Sequence, residues 1–150
     1  CVIMIPKFTS SGKLPPGIHT ASWSQFKRRY GYNKKRLWLL DGLEMLMNEL
    51  AKVGCKAVYV DGSFVASKEI PGDYDLCWQM DGVFVEDLDP VLLNYTTEGK
   101  KLIEEKYRGD IRGAEFSVRE TGATYLEFFQ HDRNGRAKGV VKLEPKGDTE

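Results

Sequence analysis

The segment Ala57–Trp78, AVYVDGSFVASKEIPGDYDLCW, constrains the fold more than any other part of the chain. It opens with Ala57-Val58-Tyr59-Val60, a β-branched and aromatic run of the kind that forms a buried strand. Asp61, Gly62 and Ser63 follow at once. A polar connection then runs to the breaker pair Pro71-Gly72, and Asp73 to Trp78 reads as a second strand.

The carboxylates of the second strand carry the chemistry. Alternate residues of a strand face one side, so Asp73 and Asp75 project together, their Cα atoms roughly 6–7 Å apart. Leu76 and Trp78 can stay packed while that face remains polar. Two carboxylates so close raise each other's pKa, and a divalent cation relieves the repulsion. Mg²⁺ suits such a pair, because it takes one or two carboxylates and fills its shell with waters and phosphate oxygens. Gly62 lets backbone N–H groups come close to an anion, and Ser63 adds a hydroxyl. A helix starting near Ser63 would favour phosphate further. Lys68, in the connection, is a candidate to reach a phosphate. An isolated Asp-x-Asp after Pro-Gly is usually a solvated turn, and Gly-Ser alone is common. The ordered combination is far more specific.

That order (apolar strand, Gly-Ser, a spacer over 64–72, then Asp-x-Asp-apolar) resembles the nucleotidyltransferase superfamily, the fold shared by DNA polymerase beta, kanamycin nucleotidyltransferase and the minimal nucleotidyltransferases. The matching residues are Val60-Asp61-Gly62-Ser63 and Asp73-Tyr74-Asp75-Leu76, with Asp61 departing from a position that is often apolar. Leu14–His19 together with Asp61–Val65 is also similar to a family of small bacterial and mobile-element proteins of this fold. The resemblance implies an α+β fold, a nucleotidyltransferase-like mixed β-sheet packed against helices. It implies a metal-dependent enzyme that moves a nucleotide from ATP or another NTP to a hydroxyl acceptor, which would be a protein, a tRNA 3′ end or a small molecule. Gly62 and Ser63 would then bind the phosphates, and Asp73 and Asp75 would hold Mg²⁺ or Mn²⁺. A third carboxylate on the adjacent strand would hold a second metal or act as base; Asp110 is the candidate and Glu115 the alternative. A toxin–antitoxin or phage-defence setting is suggested as well. The competing expectation is an inactive nucleotide-sensing or protein-binding module of the same fold, since only two carboxylates stand clear in the sequence. A structural protein in which Asp73 and Asp75 merely solvate a turn is a third reading.

Charge and cysteine usage narrow the setting. Lys+Arg and Asp+Glu each total 22, so the net charge is zero, which argues against a strongly electrostatic nucleic-acid binder. Cys1, Cys55 and Cys77 are odd in number and lack ligand spacing, so neither a disulfide framework nor a zinc site is expected. No apolar run spans a bilayer. The expectation is a cytoplasmic protein of one domain over 1–150, with an irregular arm over 1–20, a natural start at Met4 and a tail over 145–150.

The remaining elements follow from caps and periodicity. Ser22 and Gln25 form a capping box for a helix from Trp23 to Tyr30. Asn33 caps a core helix over Lys34 to about Val53, with a stripe of Leu37, Leu40, Leu43, Met47 and Leu50 and with Gly54 after its end. Lys27, Arg28, Arg29, Lys34, Lys35 and Arg36 read as a solvated basic face. The functional alternative is a phosphate or nucleic-acid patch with Tyr30 or Tyr32 stacking on a base. A helix ending at Tyr107 precedes a strand carrying Asp110. Tyr125 to Gln130 leans towards strand, Asn134-Gly135 signals a type I′ hairpin, and Val140 to Leu143 is a strand. His19 and the charged residues His131, Asp132, Arg133 and Arg136 read as loop decoration.

Overall fold

Side-chain caps start the first two helices. In α1 (Trp23–Tyr30), Ser22 Oγ accepts from the Gln25 amide at 3.1 Å, and Gln25 Oε1 accepts from the Ser22 amide at 3.0 Å. In α2 (Lys34–Lys52), Asn33 Oδ1 accepts from the Arg36 amide at 2.9 Å. Gly54, at φ +84°, turns the chain out of α2 in the left-handed conformation that glycine adopts without strain. These features belong to a computed structural model that describes residues 5–118 and 122–146. The expected start at Met4 and the tail beyond Lys146 lie outside the described residues.

The architecture is α+β. Strands β1 (Gly17–Thr20), β2 (Val58–Asp61), β3 (Tyr74–Trp78), β4 (Gly109–Gly113) and β5 (Gly139–Leu143) form one mixed sheet in the order β1-β5-β2-β3-β4. β2 runs antiparallel to β3 and to β5, whereas β1 is parallel to β5 and β4 is parallel to β3. The parallel step from β3 to β4 needs a crossover, and α3 (Thr97–Tyr107) supplies it, capped by Thr96. α4 (Tyr125–Phe129) precedes β5.

The sheet has two unlike faces. Val58, Val60, Leu76, Trp78, Ile111 and Val141 point to the side of α1, α2 and α3 and make the main core with them. Each such buried side chain contributes about 1.5–3 kcal/mol. On the other face, Tyr59, Cys77 and Val140 lie with Phe129, Tyr125 and Leu126 of α4. Among the described residues no helix is long and apolar enough to cross a membrane.

Four local expectations are corrected. Part of the irregular arm, Gly17–Thr20, is an edge strand, which escapes an apolar-pattern reading because backbone pairing with β5 holds it while its side chains are mostly exposed. Tyr125–Phe129 is a helix, because Thr124 and Glu127 form a capping box. The Asn134-Gly135 turn is not type I′, which needs two residues at positive φ; only Gly135 has it, and the Asp132 carboxylate accepts from the Asn134 and Arg136 amides at 2.9 Å. Finally, Leu37 is 40% exposed, and α2 turns Arg36 inward beside Leu39 and Leu40.

Candidate functional site

The alternation of β2 sends Val58 and Val60 to the helices and Tyr59 and Asp61 to the opposite face. Asp61 is paired with Asp75 across β2 and β3, and Asp75 with Asp110 across β3 and β4. Directly paired residues face the same side, so three aspartates form a row across three adjacent strands. Asp110 therefore stands beside Asp75. Glu115, the alternative, lies elsewhere: its carboxylate accepts from the Met80 and Asp81 amides at 2.9 and 3.4 Å and closes the turn after β3.

Asp73 comes immediately before β3 and shares a hydrogen bond with the carboxyl of Glu104 on α3. Burial pushes Glu104 up to about 7, with Asp73 the next cause, so Glu104 is the partner that holds the proton. Burial also raises Asp73, and Asp110 adds to the rise. Asp75 is pushed up to about 7, first by burial and then by Asp73, Asp110 and Asp61.

Two members of the row have resident counter-ions. Asp61 is buried, with Lys138 Nζ 3.0 and 3.2 Å from its two carboxylate oxygens. Its pKa is raised by burial and pulled back by Lys138 and by the Gly62 amide, which donates to it. Asp110 Oδ1 accepts from Arg112 Nε at 3.1 Å, and the Arg112 guanidinium lies 5.4 Å from the centre of the Tyr125 ring.

Gly62 turns the chain at the end of β2 with φ +81°, and a Cβ there would overlap Asp75 Oδ2. The glycine is what allows the backbone to lie against the central carboxylate of the row. Ser63 follows in a short 3₁₀ turn, Gly62–Val65.

Arg36 holds this turn and the loop beyond it from beneath. Its guanidinium is fully buried and donates to the carbonyls of Phe64 at 2.7 Å, Ala66 at 3.3 Å and Glu69 at 3.3 Å, and also to that of Lys68. The rings of Tyr32 and Phe64 flank it at 4.7 and 4.9 Å. This corrects the basic face: Arg36 is a scaffold residue rather than a solvated one. Tyr30 is also buried, its hydroxyl donating to the Val65 carbonyl at 3.1 Å, so it presents no ring for a base.

Above the row opens a cleft of about 1220 Å³. Asp75 and Asp110 line it from the sheet, Gly62 and Ser63 from the 3₁₀ turn and Lys68 from the loop after it, with Asp61 and Lys138 beside them. Tyr125 and Phe128 of α4 and the turn over 131–135 line it as well. His131, Asp132 and Arg133, read from sequence as loop decoration, are thus part of the cleft wall. Asp73 is set apart from these walls, against Glu104. His19, read from sequence as loop decoration, lies on β1, its Nε2 2.7 Å from the Pro15 carbonyl.

Among the described residues no group of three His, Cys, Asp or Glu side chains is gathered closely enough to enclose a metal by itself. Asp75 and Asp110 offer carboxylate oxygens of the kind that Mg²⁺ or Mn²⁺ takes beside water and phosphate. A cation there would offset the negative charge of Asp73, Asp110 and Asp61 that, after burial, raises Asp75. Sequence reading missed Glu104, Lys138 and the inward Arg36. Asp61 alone carried a signal, since its alternation with Tyr59 puts it on the site face.

Residues 6–144 match the family described as "Family of unknown function (DUF6932)", and the chain belongs to that family. No curated protein and no solved structure matches the chain.

Proposed function

We propose that this member of the family is a metal-dependent nucleotidyltransferase, in which the cleft takes an NTP and a hydroxyl of a protein, a tRNA end or a small molecule attacks its α-phosphorus. The observation that carries the reading is the row Asp61, Asp75, Asp110 laid across three strands beside the Gly62–Ser63 turn. The resemblance of Gly-Ser and Asp-x-Asp to that superfamily points the same way.

The roles follow from position. The Gly62 turn and Ser63 Oγ bind the distal phosphates, and Lys68 adds positive charge on the same wall. Asp75 and Asp73 would hold Mg²⁺ or Mn²⁺, Asp73 releasing its bond to Glu104 as it does so. When bound, the ion neutralises phosphate charge and aligns the α-phosphate for in-line attack. Asp110, kept oriented by Arg112, accepts the proton of the acceptor hydroxyl. The new O–P bond forms as the α–β bridge breaks, and pyrophosphate leaves. Free buried thiols at Cys55 and Cys77 accord with a reducing, cytoplasmic setting.

One observation favours a second reading, a nucleotide-sensing or protein-binding module without turnover. Lys138 already neutralises Asp61, and Arg112 neutralises Asp110. The test is thermal unfolding with each NTP, with and without Mg²⁺, on wild type and Asp75→Asn, followed by labelled NTP in cell lysate. A Mg²⁺-dependent shift lost in Asp75→Asn together with label transfer supports the enzyme. A shift without transfer supports nucleotide sensing, and no shift with any NTP refutes the enzyme and the nucleotide sensor and favours the protein-binding module.

A further inference from the structure

The cleft has an apolar wall that phosphate and metal chemistry does not use. α4 lies on the sheet face that bears the aspartate row, with Phe129 buried beside Tyr59, Cys77 and Val140 and with Tyr125 packed on the same cluster. Phe128, one residue and so about 100° around the helix from Phe129, is 47% exposed and lines the cleft with Gly62, Ser63 and Asp75. Its ring is not loose. Tyr125 meets it edge-on at 6.5 Å and 85°, and Phe129 supports it at 6.5 Å and 48°. The capping box of Thr124 and Glu127 fixes the start of the helix that carries it. The sequence thus places a braced, half-exposed phenyl ring among carboxylates, a serine and basic groups. A volume of about 1220 Å³ also exceeds the ordinary ligand pocket of about 300–1,000 Å³, leaving room beyond the phosphates and the acceptor hydroxyl.

We propose that Phe128 is the stacking platform for the base of the nucleotide whose phosphates meet Gly62 and Ser63, with Tyr125 as its edge-on brace. The proposal rests on the nucleotide reading above and adds a base-selective element to it. A phenyl face offers no hydrogen-bond code, so it accepts every base and ranks them by stacking area. Purine nucleotides therefore bind more tightly than pyrimidine nucleotides.

Calorimetric titration in Mg²⁺ of wild type, Phe128→Ala and Phe128→Tyr with ATP, UTP and inorganic tripolyphosphate tests it. Loss of one stacked base weakens ATP binding by about 5- to 150-fold in Phe128→Ala. Phe128→Tyr restores ATP binding, wild type prefers ATP to UTP, and tripolyphosphate binds all three proteins alike. If wild type binds ATP and Phe128→Ala binds it equally well, the platform is overturned and the nucleotide reading stands. If Phe128→Ala loses tripolyphosphate and ATP in the same proportion, the ring supports the phosphate end instead, and the platform again falls. A wild type that binds none of the three probes overturns both readings.

Discussion

Asp75→Asn should make the metal-free protein more stable at neutral and alkaline pH, although it removes the central carboxylate of the site. Asp75 is pushed from 3.8 to about 7 in the fold, by burial and by the charges of Asp73, Asp110 and Asp61. Between those values the native state holds a proton that the unfolded chain has released. The contribution of Asp75 to stability therefore falls as pH rises through that window and is lowest above about pH 7. At 1.36 kcal/mol per pH unit the gap from 3.8 to about 7 amounts to about 4 kcal/mol. Water reaching a half-buried carboxylate and relaxation of its neighbours bring the expected effect to about 2 kcal/mol. Asparagine keeps the shape and loses the titration. Urea unfolding in EDTA at about pH 4 and about pH 8 should show the stability advantage of Asp75→Asn widening by about 2 kcal/mol with rising pH. A difference that stays level, or narrows, would refute the electrostatic account of the row. Mg²⁺ should then narrow the gap at about pH 8 by stabilising only the wild type.

Two further substitutions address the same site. Gly62→Ala places a Cβ into Asp75 Oδ2 at a positive φ, so it should lose about 1–3 kcal/mol in urea unfolding and also lose the Mg²⁺–NTP thermal shift. A folded Gly62→Ala that binds as wild type does would show that the close approach is dispensable. Lys138→Met strips the buried Asp61 of its ammonium and should lose about 3–5 kcal/mol, most of it recovered in the double variant Asp61→Asn/Lys138→Met. Additive losses in that pair would mean that the two side chains do not act on one another.

What the sequence revealed depended on how far each interaction reaches along the chain. Caps act within a few residues, so Ser22 with Gln25 and Asn33 with Arg36 set the starts of α1 and α2 legibly. The same rule was available for Thr124 and Glu127, but the apolar and aromatic run Tyr125–Phe129 outweighed it, and the segment read as strand. Apolar runs marked β2, β3 and β5 because those strands are buried. β1 escaped because pairing rather than burial defines it. In the site, strand alternation and the helix-to-strand order brought Asp110 to Asp75. The partners of the row were not legible. Lys138 meets Asp61 across 77 residues, and Arg36 serves carbonyls about thirty residues away whose need for a donor no local pattern records. Glu104 lies within α3 and becomes part of the acidic group only once the crossover lays that helix beside Asp73.

The strand order has a consequence for how such a chain is assembled. β5 comes last among the described strands, yet it lies between β1 and β2, hydrogen-bonded to both. Until Gly139–Leu143 has emerged, β1 has no neighbour in the sheet and β2 shows one raw edge. Contacts between such distant segments close slowly, because loop entropy is paid before they form. During synthesis the growing chain thus carries an open seam through the middle of its sheet, a template for pairing with other chains. The strand that closes the seam follows directly on Lys138, the counter-charge of Asp61. Ribosome-bound intermediates would therefore carry the aspartate row before its ammonium, and the site would be complete only once β5 has joined the sheet.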